Sequence, residues 1–490
     1  MWRYTPVANV CLELLLSCLL GAAMAALGVV TPRARNALSA FVFNVALPLL
    51  VARGIALRVD FYDRSTYPFI GVFLLLRLLA LLAAAVAVSL RRAVRARASS
   101  VVHPFDPPDA RDAPPSPTPF SRVAEIWLGL SWISTVVVGV PVLTAALGSE
   151  RTALTLALLA SMSSFIFQLP GILILLEAHE AAAAAAATEA RREEEDPASS
   201  ARVGTTLPPP PTAASPRILL ARVLARLARN PVLWGILVGV ALSVSRAGPK
   251  WLDPDDPAAR GGDLSRYLAF VAGFAERFGR CVTPAGMFIT GAWMGHRATE
   301  PTARGGGAHS GGGPPRSAPF DDDPRSEFHA VPPTSPPRPV PSAPPLPPAT
   351  AFEDAPPPAD DPEHLDHRRD DRSRPPINSP HHHRSSAPPR SLGGVGVTLA
   401  VFVGKAAATP AACYAIARGF ALSETDVRGA TLLASLPISV ASVALTERHR
   451  APSDVVAANV CLGVACLLPV TLAWAALLDY AGADDPGVAY

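Results

Sequence analysis

The chain has 490 residues, half of them hydrophobic, with 53 prolines, a charged fraction of 17% and a mean hydropathy of +0.28. Its formal net charge of +3 is too small to argue for a nucleic-acid partner. It carries no zinc-type Cys/His spacing, no phosphate-binding glycine loop and no nucleophile elbow, so we expect no enzyme, no cofactor and no resident metal.

A hydrocarbon core of ~30 Å needs about 20 apolar residues in a helix. Ten stretches qualify as candidate spans, at roughly 7–30, 36–57, 67–90, 124–147, 152–177, 230–246, 265–295, 395–417, 425–446 and 454–478. They are referred to below as the first to tenth segments. The first contains Glu13, is too long for a signal-peptide core and is followed by further spans, so it reads as a true helix. The six cysteines (Cys11, Cys18, Cys281, Cys413, Cys461, Cys466) lie in apolar runs and read as small buried side chains, not a disulfide framework.

Ahead of the sixth segment, 218–229 reads ILLARVLARLAR, with Arg222, Arg226 and Arg229 on one helical face. It reads equally as a basic amphipathic elbow at the membrane surface and as the wet end of the sixth helix. Lysine occurs only at Lys250 and Lys405, so arginines set the orientation. Arg33 and Arg35 follow the first segment, Arg91, Arg92, Arg95 and Arg97 the third, Arg297 the seventh, and Arg448 and Arg450 the ninth. Asp253, Asp255 and Asp256 follow the sixth. The positive-inside rule then puts both termini on the non-cytosolic side of a multi-pass protein of the plasma membrane or the endoplasmic reticulum.

Three hydrophilic stretches, about 91–122, 178–216 and 297–393, fall on the cytosolic side and lack periodic apolar positions, which predicts disorder. His381, His382 and His383 lie in one of them and read as low complexity rather than a metal site. The alanine run 181–187 is expected to extend the fifth helix. The organisation is thus a first five-helix repeat over 1–177, a linker over 178–216, a second repeat over 217–296 and 394–480, and the Pro/Gly/Ser-rich loop 297–393.

Prolines recur at matching places in the two halves: Pro48 and Pro284, Pro141 and Pro437, Pro170 and Pro469. Five spans per half make the halves opposite in orientation, and inverted repeats with broken helices point to a transporter site. If the fourth and ninth helices unwind at Pro141 and Pro437 and cross, they expose backbone groups that must face protein, water or substrate. The freed helix ends suit a carboxylate, with Ser134, Thr135, Ser435, Ser439 and Ser442 as neutral neighbours.

At these residues the chain resembles the auxin efflux carrier family, the PIN-type and PIN-like transporters. The family's fourth-helix N-T-x-x-x-G-x-P is matched by Ser134-Thr135…Gly139-Val140-Pro141, with Ser134 in place of the Asn. Its A-x-P-L-L is matched by Ala46-Leu47-Pro48-Leu49-Leu50, its R-N-P by Arg229-Asn230-Pro231, and its M-F-x-x-G by Met287-Phe288 and Gly291. Leu175-Leu176-Glu177-Ala178-His179 is similar to the end of its fifth helix. A basic residue five before a proline (Lys405, Pro410), A-x-L-P (Ala434, Pro437) and L-P-x-T (Leu468-Pro469, Thr471) follow in order. The resemblance implies ten helices in two inverted repeats, with the second and seventh in a scaffold and the fourth and ninth crossing in a moving domain. It implies export of indole-3-acetate-like carboxylates by alternating access.

Arg77 lies within FIGVFLLLRLLALL, where a charge costs about 2.5–3.5 kcal/mol to insert. It should face the bundle, either serving the anion site or paired with Glu13, and its replacement by Leu should leave insertion intact or improved. Lys405 is placed nearer the cytosolic end, where snorkelling is easy, and reads as structural ahead of functional. Asn44, Asn9 and Gln168 read as ties between helices, and Asn44 is also carried as a candidate site residue.

The candidate substrate-binding set is therefore Ser134, Thr135, Pro141, Ser435, Pro437, Ser439, Arg77 and Asn44. Two other functions stay open. A cation-coupled carboxylate symporter of related fold would need a carboxylate pair at the crossing. A non-transporting receptor or scaffold would act through loop 297–393, where kinases or other cytosolic partners would bind. The lipid bilayer is an expected partner throughout, and a homodimer is an open expectation.

Overall fold

The computed structural model describes residues 2–99, 118–195, 216–252, 263–299 and 392–482. Among them there are helices and turns and no strand. Most of the three hydrophilic stretches, His381–His383 included, lies outside the described residues.

Every predicted segment contains helix. The first is Thr5–Ala26, the third Thr66–Ser99, the sixth Pro231–Val244 and the seventh Asp263–Thr299. The second, Pro32–Phe41 and Leu47–Arg58, contains a π turn at Val42–Ala46. The fifth, Glu150–Ser163 and Leu169–Glu195, has one at Ser164–Gln168. The eighth, Leu392–Val403 and Thr409–Gly419, has one at Gly404–Ala408. The fourth divides into Pro119–Ser131 and Val140–Leu147, the ninth into Glu424–Ser435 and Ala441–Arg448, and the tenth into Asp454–Ala465 and Leu467–Gly482.

Six of these helices are long and apolar enough to cross a membrane, and eight if each bent pair counts as one span. The protein is an integral multi-pass membrane protein. The two segments outside that set have identifiable reasons. The seventh carries Glu276, Arg277 and Arg280 in mid-helix, and the ninth is split into pieces of 12 and 8 residues. The remaining surface is apolar where lipid would lie: Leu12, Leu16, Leu19 and Leu20 of the first segment and Leu78, Leu82, Val86 and Leu90 of the third are exposed.

Proline explains most of the irregular backbone. A proline ring clashes with the carbonyl four residues back and supplies no N–H. Widening the preceding turn to a π turn relieves the clash. The π turns end two residues before Pro48, Pro141, Pro170 and Pro410. Leu47, Leu169 and Thr409, each directly before its proline, donate N–H to the carbonyl five residues back. Pro284, by contrast, sits inside a helix without such a turn.

The first segment packs on the seventh, and the second on the sixth. Both contacts bring backbones together through G-x-x-x-G spacings, Gly291/Gly295 and Gly235/Gly239. A Cβ on Gly291 would lie 1.7 Å from the Cys18 carbonyl oxygen, and one on Gly239 would lie 2.8 Å from that of Ala52. Around these pairs the third segment packs on the fourth, the eighth on the ninth, the fourth on the fifth and the ninth on the tenth.

Several expectations are corrected. Helix runs on to Ser99 and Glu195, into stretches read as hydrophilic loops, and the alanine run 181–187 does extend the fifth helix. The basic stretch before the sixth segment is not its wet end: Arg217–Ala228 bends by 70° from Pro231–Val244, with the Asn230 side chain capping the second helix. Among the cysteines, all six are free and three are buried, but Cys281 is exposed.

Candidate functional site

The fourth and ninth segments are both broken, and the breaks touch. After Ser131 the backbone opens out through Trp132 to Ser134 before the π turn Thr135–Gly139. After Ser435 it is extended at Leu436 (ψ 154°) and stays non-helical to Ser439. The Ser134 N–H donates to the Pro437 carbonyl at 3.2 Å. Backbone groups freed in an apolar interior need partners, and this bond supplies two of them at once.

Lys405 supplies another. It is buried, and its Nζ donates to the Ala434 carbonyl at 2.8 Å. That carbonyl lies at the C-terminal end of Glu424–Ser435, where the helix dipole favours a cation. The expected snorkelling does not occur: the ammonium is held inside, at the ninth-segment break.

Arg77 is 1% exposed and faces the bundle as expected. Its Nε donates to Gln168 Oε1 at 2.9 Å, and its Nη atoms donate to the Phe73 carbonyl at 3.2 Å, to the Ala160 carbonyl at 3.1 Å, and to the Ser163 and Ser164 hydroxyls. Gln168 Nε2 passes the chain on to Ser131 Oγ at 2.7 Å. Arg77 thus fastens the third segment to the π turn of the fifth, and through Gln168 to the last turn before the fourth-segment break. The Glu13 pairing is ruled out, since Glu13 is exposed and the guanidinium is engaged elsewhere. Gln168 is the tie between helices that its type suggested. Among the described residues no carboxylate forms an ion pair with Arg77 or Lys405. The two basic side chains near the breaks thus have no carboxylate counter-charge among the described residues.

The hydroxyls are used locally. Ser435 Oγ donates to the Leu432 carbonyl at 2.8 Å and Ser442 Oγ to that of Ser439 at 2.6 Å. Ser439 Oγ accepts the Ala441 N–H at 3.3 Å, and Thr135 bonds Ser161 through their hydroxyls. Asn44 stands apart from the rest of the predicted set. It is exposed on the π turn of the second segment; like Ser134, Thr135, Ser439 and Arg77, it lines neither cavity described below.

Two cavities flank the breaks. One, of about 20 Å³, is lined by Lys405, Ser435, Pro437 and Asn459, whose Oδ1 is buried without a partner. It has room for about one water. The other, of about 890 Å³, runs from Arg58 and Arg151 at the segment ends to Val136, Val140 and Pro141 at the fourth-segment break. Arg53, Arg58, Arg151 and Arg280 line it together with Glu150 and Glu276. Arg53 and Arg280 both reach Glu276, at 2.9 and 2.7 Å, which leaves an excess of positive charge along the walls.

Two polar features join residues whose pairing the sequence did not show. Glu125 is 1% exposed; its Oε1 accepts the Val455 N–H at 3.0 Å and so caps the first helix of the tenth segment from across the molecule. At the end opposite Arg58 and Arg151, Arg226 Nη1 lies 2.7 Å from Glu177 Oε1 and its Nη2 3.6 Å from Glu180 Oε2. The same Nη1 is 2.9 and 2.8 Å from the two ring nitrogens of His449, hence over the ring and not along one lone pair. His449 Nδ1 in turn meets Glu180 Oε1 at 2.9 Å. Glu177, Glu180 and His449 bring three metal-type ligand atoms within 4.8 Å of one another, and Arg226 supplies the cation among them.

This cluster is pH-sensitive. Burial first, and then the Arg226 charge, push the His449 imidazole down to about 4, against the pull of Glu177; Arg448 and His179 add to the depression. A histidine held neutral when folded binds fewer protons than when unfolded. Its contribution is therefore fully present above the usual histidine value near 6.5 and is lost as pH falls toward 4, at up to about 1.4 kcal/mol per unit. The thermal midpoint of the purified protein should fall between pH 7 and pH 5, and His449→Gln should flatten that slope. An unchanged slope in the variant would assign the acid sensitivity elsewhere.

No family model matches the chain, and no curated protein matches it. The class of the molecule rests on its own geometry: a multi-pass helical membrane protein with two broken, touching segments beside an arginine-lined cavity.

Proposed function

We propose that the chain is a transporter that moves a small organic carboxylate across the membrane by alternating access around the breaks in the fourth and ninth segments. The observation that carries the reading is the 890 Å³ cavity, arginine-rich along its walls and ending on Val136, Val140 and Pro141 of the broken fourth segment. A basic passage that stops at the π turn following the fourth-segment break suits an anion. Lys405 and Arg77, buried without carboxylate partners, add positive charge beyond the point where the cavity stops. The small cavity beside Lys405 and Ser435 is lined by no carboxylate, which favours an anion carrier over a cation-coupled symporter.

Ten spans in two inverted five-helix repeats are part of the same reading. Exchanging first with sixth and second with seventh turns one glycine-lined helix pair into the other, as such a repeat requires. The resemblance to the auxin efflux carriers extends the substrate class to indole-3-acetate-like acids exported from the cytosol, with the arginine count of the loops setting the orientation. The reading involves no catalytic residue and no cofactor.

The test is efflux of radiolabelled indole-3-acetate and of other small carboxylates from cells expressing the chain, beside Lys405→Gln. Glutamine keeps a donor on a side chain one bond shorter and carries no charge, so efflux should fall at least tenfold at matched surface expression. Absence of carboxylate flux in the wild type, at normal surface expression, would overturn the reading.

A further inference from the structure

We propose that the helix Pro216–Ala228 is a docking surface for anionic phospholipid. Its roll about its own axis is fixed by the protein. Arg226 is drawn inward to Glu177 and Glu180, and Val223 is buried at 1% exposure. At about 100° per residue the other positions follow from those two. Leu220 and Leu224 stand on one flank, Arg222 and Arg229 on the other, and all four are exposed. Ile218 is the apolar exception on the basic flank, and Arg217, exposed and about 20° around the axis from Leu224, is the basic exception on the other.

That division is what an interfacial helix needs: one flank in the acyl boundary, the other among headgroups. Leu220 and Leu224 are half exposed or more, and among the described residues no carboxylate pairs with Arg222 or Arg229. The 70° bend to Pro231–Val244 turns the helix across the direction of the adjoining apolar helix, which is the orientation an interfacial helix takes beside a span. Trp234, exposed just past the bend with Nε1 donating to the Ala228 carbonyl at 2.7 Å, sits at the depth where indoles collect at an interface. Guanidinium forks bind phosphate oxygens two at a time. The occupant that matches two unpaired arginines beside two uncovered leucines is therefore a phosphate-bearing lipid of net negative charge. Free phosphate would satisfy the arginines but leave the leucines in water.

The experiment uses the full chain purified in neutral detergent and titrated with phosphatidylserine or phosphatidylcholine, bound lipid being counted by native mass spectrometry. The wild type should retain phosphatidylserine on the order of tenfold better. Arg222→Gln/Arg229→Gln should abolish that preference with an unchanged thermal midpoint, and Arg222→Lys/Arg229→Lys should keep most of it. Leu220→Ser/Leu224→Ser should weaken retention of both lipids alike. Equal retention of the two lipids by the wild type, or a preference that survives the Gln pair, would overturn the proposal. So would displacement of phosphatidylserine by millimolar inorganic phosphate, which would mark the arginines as a simple anion site.

Discussion

Arg77→Leu is expected to leave the protein in the membrane and to lower carboxylate flux by at least tenfold. The two halves of that result come from different terms. Removing a charge from mid-bilayer relieves about 2.5–3.5 kcal/mol of insertion cost. Against it, Gln168 Oε1 loses its donor, at about 1–3 kcal/mol, and the shorter side chain leaves a gap that costs a similar amount. The sums nearly cancel, so the improved insertion expected from hydropathy alone should shrink to little or nothing. Position does not cancel. The guanidinium holds Ala160, Ser163, Ser164 and Gln168 around the fifth-segment π turn, and Gln168 holds Ser131 at the edge of the fourth-segment break. Without it the tie between the fifth-segment π turn and the edge of the fourth-segment break is lost, leaving the Thr135–Ser161 bond and packing to align the two segments. Arg77→Lys keeps the charge but replaces a fork with a point donor, so it should recover only part of the flux. Normal flux in Arg77→Leu, measured at matched surface expression, would reduce the network to packing.

That case marks where the sequence was legible. Hydropathy located a helix at each of the ten segments because a 20-residue apolar run needs no tertiary information. The breaks were legible because Pro141 and Pro437 act on the backbone locally. What a side chain meets inside the bundle was not. Arg77 could be assigned to the interior, yet its partners at Ser163, Ser164 and Gln168 lie 86 or more positions away. Lys405 had a visible clue, its spacing to Pro410, but only the fold puts its ammonium against the end of the ninth segment's first helix. Asn44 was misjudged because a polar residue in an apolar run suggests a buried partner, whereas the π turn points it outward. Glu125 pairs locally with Arg122, three residues before it, but the Val455 N–H it caps and the Arg226 and Glu180 that meet His449 come from other segments, and no local pattern announces those contacts.

Pro141→Ala and Pro437→Ala bear directly on whether the breaks are the site. At Pro141, alanine supplies the missing N–H and removes the ring, so the π turn Thr135–Gly139 can tighten to an α turn and withdraw Val136 and Val140 from the large cavity. At Pro437 the ring goes, but two ties remain: Ser134 N–H to the residue 437 carbonyl, and Lys405 to Ala434. The ninth segment can become continuous only by giving up both. We therefore expect Pro141→Ala to cost at least tenfold in flux and Pro437→Ala somewhat less. Thermal stability should change little in either, since Pro141 stands in the first turn of Val140–Leu147 and Pro437 in non-helical backbone, places that tolerate the ring. The double variant should fall short of the product of the single effects, because the Ser134–Pro437 bond makes the two breaks one unit. Wild-type flux in both single variants would mean that these prolines only kink their helices, and the cavity would then have to lead to a binding site other than the one the breaks define.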